Sequence, residues 1–186
     1  IARESKVMLS AMAPRAPQMM LWALINTGWN SRATTPLENE LQYYYALGSG
    51  IKGIHYFNDL NTFPRMSGGG YYIGCSRIAP LWRSIARGNA LIDRMEDLLN
   101  NACPWDNASC DRKDIWCASL LSGDDTFIVT IVNRNVGVSW MDIMKYVHTK
   151  PAPPSVVAVS IPKWFVPEKL LQVDWDKTGE IPIQRR

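Results

Sequence analysis

The sequence predicts an α/β region followed by an all-β region, and three observations carry that reading. Two apolar runs, Met19-Met20-Leu21-Trp22-Ala23-Leu24-Ile25 and Ile51-Lys52-Gly53-Ile54-His55-Tyr56-Phe57, flank a well-capped helix. Residues 76–100 place Ile78, Leu81, Trp82, Ile85, Ile92, Met95 and Leu99 at helical spacing, with Arg83, Arg87, Arg94 and Asp97 on the other side. Beyond residue 105 the grammar changes to β-branched and aromatic runs separated by turns.

The first apolar run reads as a strand that breaks into the polar loop Asn26-Thr27-Gly28-Trp29-Asn30-Ser31-Arg32. A helix then starts at Thr35-Pro36-Leu37-Glu38. Thr35 can accept the amide of Glu38 while the Glu38 carboxylate reaches back, and proline at the first helical position has no N–H to leave unpaired. Leu37, Leu41 and Tyr44 form the expected buried stripe, and Gly48 and Gly50 are the expected positive-φ residues that end the helix near Leu47. The second apolar run ends in Asn58-Asp59. A connection of this length makes the two strands parallel, with a right-handed crossover. Ligands bind such folds at the carboxyl ends of the strands, where Asn26, Trp29, Asn30, Arg32, Tyr56, Asn58 and Asp59 gather. His55, inside the second strand, is read as a core histidine.

The glycine run Gly68-Gly69-Gly70 leads to the long amphipathic helix, so the order is strand, helix, strand, loop, helix. Two such repeats cannot close a barrel by themselves. In the second region, residues 114–121 and 126–133 form a hairpin about the turn Ser122-Gly123-Asp124-Asp125. Residues 155–161 and 170–175 are further strands, and prolines 162 and 167 bracket a bend around Trp164 and Phe165. A boundary near residue 105 divides the chain into 1–104 and 105–186.

The 186 residues, 47% hydrophobic and 20% charged, suffice for one domain or parts of two. A net charge of +3, dispersed along the chain, gives no footprint for nucleic acid. No apolar run approaches the roughly 20 residues that span a membrane. Ile1 heads neither a start codon's methionine nor a signal segment, so the chain is expected to begin mid-sequence or after processing.

Four cysteines without a C-x-x-C pair make a poor zinc site and fit two disulfides. Cys103 with Cys110 and Cys75 with Cys117 is the preferred pairing of three. Asn107-Ala108-Ser109 is a glycosylation sequon within that loop. Both features point to a secreted or cell-surface protein. No cofactor or metal signature is present. The three glycines 68–70 are no phosphate cradle, because neither a strand leads into them nor Gly-Lys-Ser/Thr follows.

The pattern Pro17, Trp22, Gly28-Trp29, Thr35-Pro36, Glu38, Glu40-Leu41-Gln42, Tyr44, Ala46-Leu47, Gly50, Lys52-Gly53-Ile54, Tyr56-Phe57 resembles the last two β/α units of (β/α)8-barrel glycoside hydrolases. The stretch from Val156 through Pro162-Lys163-Trp164-Phe165 to Pro167 is similar to the small antiparallel β-sandwich that often follows such barrels. The resemblance implies a carbohydrate ligand, with Trp29 stacking on a sugar ring and Asn26, Asn30, Arg32, Tyr56 and Asn58 lining the pocket. It also implies a partner for this chain, the remaining barrel. Glycoside cleavage needs two flanking carboxyl groups. Where many such enzymes carry a glutamate, at the end of the seventh strand, this chain reads Asn26-Thr27-Gly28. Glu38 is taken up in capping and Glu40 lies on the helix, which leaves Asp59 as the one weak catalytic candidate. Two readings follow: a portion of a secreted glycosidase whose carboxylates lie elsewhere, or a non-catalytic carbohydrate-binding or assembling surface protein on the same scaffold.

Overall fold

A computed structural model describes residues 22–26, 28–29, 32–57, 79–135, 137–141 and 146–183, with the backbone alone for residues 22–26, 28–29, 32–33, 57, 137–141 and 146–149. Strand β1, Trp22–Asn26, is followed by the short strands β2, Gly28–Trp29, and β3, Arg32–Ala33. Helix α1, Pro36–Gly48, leads to strand β4, Gly53–Phe57, and helix α2 is Ala79–Asn101. β1 and β4 are parallel partners with α1 between them in the chain, which is the expected β-α-β order.

The cap of α1 forms as the sequence dictates. The Thr35 amide donates to Glu38 Oε2 at 2.9 Å, and the Glu38 amide donates to Thr35 Oγ1 at 3.2 Å. At the other end, the Ser49 and Gly50 amides return to the carbonyls of Ala46 and Leu47. Gly50 takes φ 81°, a conformation that side chains resist. Gly48 does not share it. It lies inside the helix, where a Cβ would come within 2.7 Å of Thr130, so its role is close approach and not chain reversal.

The buried face of α1 is also displaced from the expected one. Asn39, Tyr43 and Ala46 are buried, whereas Leu37, Leu41 and Tyr44 are half-buried. The cause lies on α2, whose Ser84 and Gly88, one turn apart, open a notch for α1. Asn39 Nδ2 donates to Ser84 Oγ at 2.9 Å, and Ser84 Oγ donates to the Pro36 carbonyl at 3.1 Å. The Tyr43 ring fills the space above Gly88. On α2 the expected stripe holds at Leu81, Ile85 and Leu99, but Trp82 faces solvent.

Downstream the strands pair antiparallel. Strands β5, Ala102–Pro104, β7, Ile115–Ser122, and β8, Thr126–Asn133, form a sheet in the order β5-β7-β8. The β7 to β8 hairpin turns at Gly123, with φ 63°, one residue later than the sequence suggests. β6, Ser109–Cys110, pairs with β11, Val159–Ser160. A hairpin of β9, Gly137–Met141, and β10, Tyr146–Lys150, has no counterpart in the sequence reading. The final pair is β12, Leu171–Val173, with β13, Thr178–Glu180.

One hydrophobic cluster joins the helices to these strands: Tyr43, Leu47, Leu91, Leu99, Ala102, Leu120 and Trp175. Trp175 sits in the turn between β12 and β13 and not in a strand. It packs edge-on against Tyr43 at 5.4 Å between centroids. Arg94 Nη2 secures that turn through the carbonyls of Asp174, at 2.9 Å, and Trp175, at 3.0 Å. On the far face of β7, Ser119 Oγ accepts the amides of Asn107, at 3.2 Å, and Ala108, at 3.1 Å, which pins the loop 105–108 over the sheet. No helix among the described residues is long and apolar enough to cross a membrane.

The register corrects the expected disulfide between Cys103 and Cys110. Cys103, Cys110 and Cys117 are free thiols. Cys103 is paired with Leu121, and its thiol reaches the Leu121 carbonyl, whereas the Cys110 thiol reaches the Ile115 carbonyl. Those carbonyls are six residues apart on one strand, about 20 Å at roughly 3.3 Å per residue. A disulfide needs Cα atoms within about 7 Å. Cys75 lies outside the described residues, so its expected bond to Cys117 does too. Asn107 is exposed.

Candidate functional site

The expected site lies where β1 and β4 stop. Their register aligns Ile25 with Tyr56 and Asn26 with Phe57, so both chains leave the sheet at the same level. Asn26 is therefore at the carboxyl edge of the parallel pair. Immediately after it, β2 and β3 form a small antiparallel pair in which Trp29 is the backbone partner of Arg32 and Gly28 that of Ala33. β3 ends two residues before the Thr35 cap. The structure brings Asn26, Trp29 and Arg32 to one edge. Asn30, Asn58 and Asp59 lie outside the described residues.

Tyr56 occupies a different environment. Alternation along β4 puts Ile54 and Tyr56 against the helices, where both pack on the main hydrophobic cluster. The Tyr56 hydroxyl meets the Tyr43 hydroxyl and Asn89 Oδ1, and Tyr43 lies 3.1 Å from the same Asn89 oxygen. Burial and the neighbouring phenol push the Tyr43 hydroxyl far above its ordinary range, so it stays neutral and serves as a polar tie between α1, β4 and α2. By the same alternation His55 points away from the helices and is exposed, in place of the core position expected from sequence.

Lys52, the lysine of the Gly50-x-Lys52-Gly53 pattern, also has a structural task. Its ammonium donates to the carbonyls of Leu99, Asn100 and Ala102 at the end of α2. The first two are carbonyls a helix terminus leaves without intrahelical partners, where a cation also matches the helix dipole, and the third opens β5.

No protein-family model matches the chain, and no curated protein matches it.

Three acidic side chains, Glu40, Asp174 and Asp176, come together beside α1. Tyr44 donates to Asp174 Oδ1 at 3.2 Å, and Arg87 pairs with Asp176 at 3.1 Å. Glu40 is half-buried beside them. Desolvation raises its pKa, Arg87 opposes the shift, and Asp174 and Asp176 add to it. This cluster fastens the β12 to β13 turn to α1 and α2. Glu38 is engaged with the Thr35 amide, as expected. Among the described residues no group of three or more His, Cys, Asp or Glu is arranged to hold a metal ion.

Sequence reasoning passed over Ser84, Gly88, Asn89 and Trp175. Ser84 and Gly88 were legible only as small residues at core spacing on α2, and Asn89 as a polar residue beside them. Trp175 read as the end of a strand, and nothing local distinguishes a turn tryptophan that docks elsewhere.

Proposed function

We propose that this chain is the carboxyl-terminal part of a secreted or cell-surface (β/α)8-barrel glycoside hydrolase-like protein, in which residues 22–59 form one wall of a carbohydrate pocket. The observation that carries the proposal is the level ending of parallel β1 and β4, with the Trp29 and Arg32 pair rising directly from the end of β1. Trp29 supplies an apolar face for a sugar ring, and Asn26, Asn30, Arg32 and Asn58 supply hydrogen bonds to hydroxyls. Tyr56 contributes by fixing β4 from behind. The antiparallel strands after residue 105 correspond to the accompanying β-sandwich. The carboxylate pair belongs to the rest of the barrel, with Asp59 the nearest acid in this chain.

A second reading is favoured by a specific observation: β1 ends in Asn26, an amide, at the position where the resemblance calls for a catalytic glutamate. A scaffold with that change binds carbohydrate without cleaving it. The test is glycan-array binding of the protein at its natural length beside its Trp29→Ala variant, with helical circular dichroism as the folding control. Binding weakened about tenfold or more by the substitution supports the pocket, consistent with loss of an aromatic contact worth roughly 1.4 kcal/mol. Equal binding by both proteins, or by neither, overturns it. Hydrolysis of aryl glycosides by the protein at its natural length separates the two readings.

A further inference from the structure

Two tryptophans stand open on the far face of the β5-β7-β8 sheet, next to the only Asn-x-Ser/Thr sequence in the chain, Asn107-Ala108-Ser109. The Trp105 amide donates to the Ser119 carbonyl at 3.0 Å, so the ladder runs one residue past β5. That sets Trp105 opposite Ser119, on the face turned away from Leu120 and the helices. Trp164 meets it from the turn 162–165, which the Phe165 amide closes on the Pro162 carbonyl at 3.0 Å. The two indoles pack edge to face, with centroids 6.5 Å apart and planes at 81°. Trp164 packs in turn on Phe165 at 5.8 Å, and Phe165 on Phe127 of β8 at 5.5 Å, so the pair is braced from the sheet. Even so, Trp105 remains 40% exposed and Trp164 59%.

Asn107 is fixed beside this pair. Its amide donates to the Trp105 carbonyl at 2.8 Å and to Ser119 Oγ at 3.2 Å, and the same buried hydroxyl donates to the Trp105 carbonyl. Two residues of chain put its Cα within about 7 Å of that of Trp105. The asparagine is exposed, so a pyranose carried on Nδ2 has open space over the neighbouring rings.

We propose that Asn107 carries an N-linked glycan whose first N-acetylglucosamine lies on the open surfaces of Trp105 and Trp164. The proposal rests on the secreted reading given above. The C–H face of the sugar covers ring surface that the protein itself leaves in water, while the hydroxyls and acetamide stay hydrated. The loop 105–108 is then held from beneath by Ser119 and from above by the sugar. The donor is a lipid-linked oligosaccharide diphosphate. Asn107 Nδ2 attacks C1 of its first sugar, the N–C1 bond forms, and the C1–O bond to the diphosphate breaks. Nδ2 loses one proton, and the lipid diphosphate leaves with the electron pair.

The experiment produces the protein at its natural length in a eukaryotic secretory host and weighs the Asn107 peptide by mass spectrometry. Amide hydrogen exchange over residues 105–110 is then compared among three forms: the full glycan, the glycan trimmed by an endoglycosidase to one N-acetylglucosamine, and Asn107→Gln. The first two should exchange alike and about 2- to 10-fold more slowly than the third, the range an aromatic contact gives. Trp164→Ala should abolish the difference, and Trp164→Phe should keep most of it. An unmodified Asn107 in protein recovered from the medium, equal exchange in all three forms, or a difference that survives Trp164→Ala overturns the proposal. A protein that does not reach the medium overturns the secreted reading and the glycan with it. None of these outcomes touches the Trp29 pocket, which is read by the binding of free glycans.

Discussion

Replacing Gly88 with alanine sets two effects of opposite sign against each other. In an exposed helix interior the change stabilises by about 1 kcal/mol, because glycine is the poorer helix former. Here the added Cβ would lie 2.5 and 2.6 Å from Cε1 and Cε2 of Tyr43, distances at which something must move. The ring has little freedom. It is fully buried, packs edge-on against Trp175, and its hydroxyl lies within 3.3 Å of the Ile85 carbonyl as well as touching Tyr56 and Asn89. Forcing a methyl into a packed site costs about 1–3 kcal/mol, and displacing the hydroxyl from its partners adds about 1 kcal/mol. The clash therefore outweighs the propensity gain, and Gly88→Ala should lose about 1–3 kcal/mol. Urea unfolding followed by tryptophan fluorescence reads this as a midpoint lowered by about 1 M, at an m-value of roughly 2 kcal/mol/M. In a Tyr43→Ala background the same change should become neutral or stabilising, which a double-mutant cycle reports as coupling. A Gly88→Ala protein as stable as its parent would refute the notch between the helices.

Two further outcomes follow from single side chains. Glu40 has a folded-state pKa above its ordinary 4.5, so folding favours its protonated form. The stability this gives is present below that value and lost as pH rises through the raised one. Glu40→Gln should therefore flatten the decline in thermal midpoint on the alkaline side of pH 4.5 and melt above the parent at neutral pH; identical profiles would sink the argument. Lys52→Met keeps the aliphatic stem but removes the bonds to the terminal carbonyls of α2. It should cost about 1–2 kcal/mol, or some 3–6 °C in Tm by calorimetry, and an unchanged Tm would count against the capping role.

The elements that local chemistry specifies were readable from sequence. Thr35-Pro36-Leu37-Glu38 encodes a helix start within four residues, and the cap forms as written. Gly123 encodes a hairpin turn, and the spacing on α2 encodes a helix. What escaped depends on partners distant in the chain. The helix face that α1 buries was set by Ser84 and Gly88 on another element, which let a tyrosine and an asparagine displace the leucine stripe. The cysteine pairing depended on strand register, which loop polarity does not report. The β9 to β10 hairpin has only the short, mixed runs Gly137–Met141 and Tyr146–Lys150, with no glycine-containing turn dipeptide between them to announce it. At the candidate site, the polar excursion after β1 was legible because its composition is local, whereas the turning of Tyr56 toward the helices required knowing which side of β4 they cover.

Trp175 has a consequence for the order of events in folding. Tyr44 and Asp174, which flank its docking site, are 130 residues apart in the chain. Joining them closes a long loop, whose entropy must be met before the contact repays it. During synthesis the two helices can pair while residue 175 has yet to be made, and until then the Tyr43 ring has water where the indole will sit. The helix layer thus spends the interval of translation with its centre open, and the indole of Trp175 acts as a keystone set after the arch is standing.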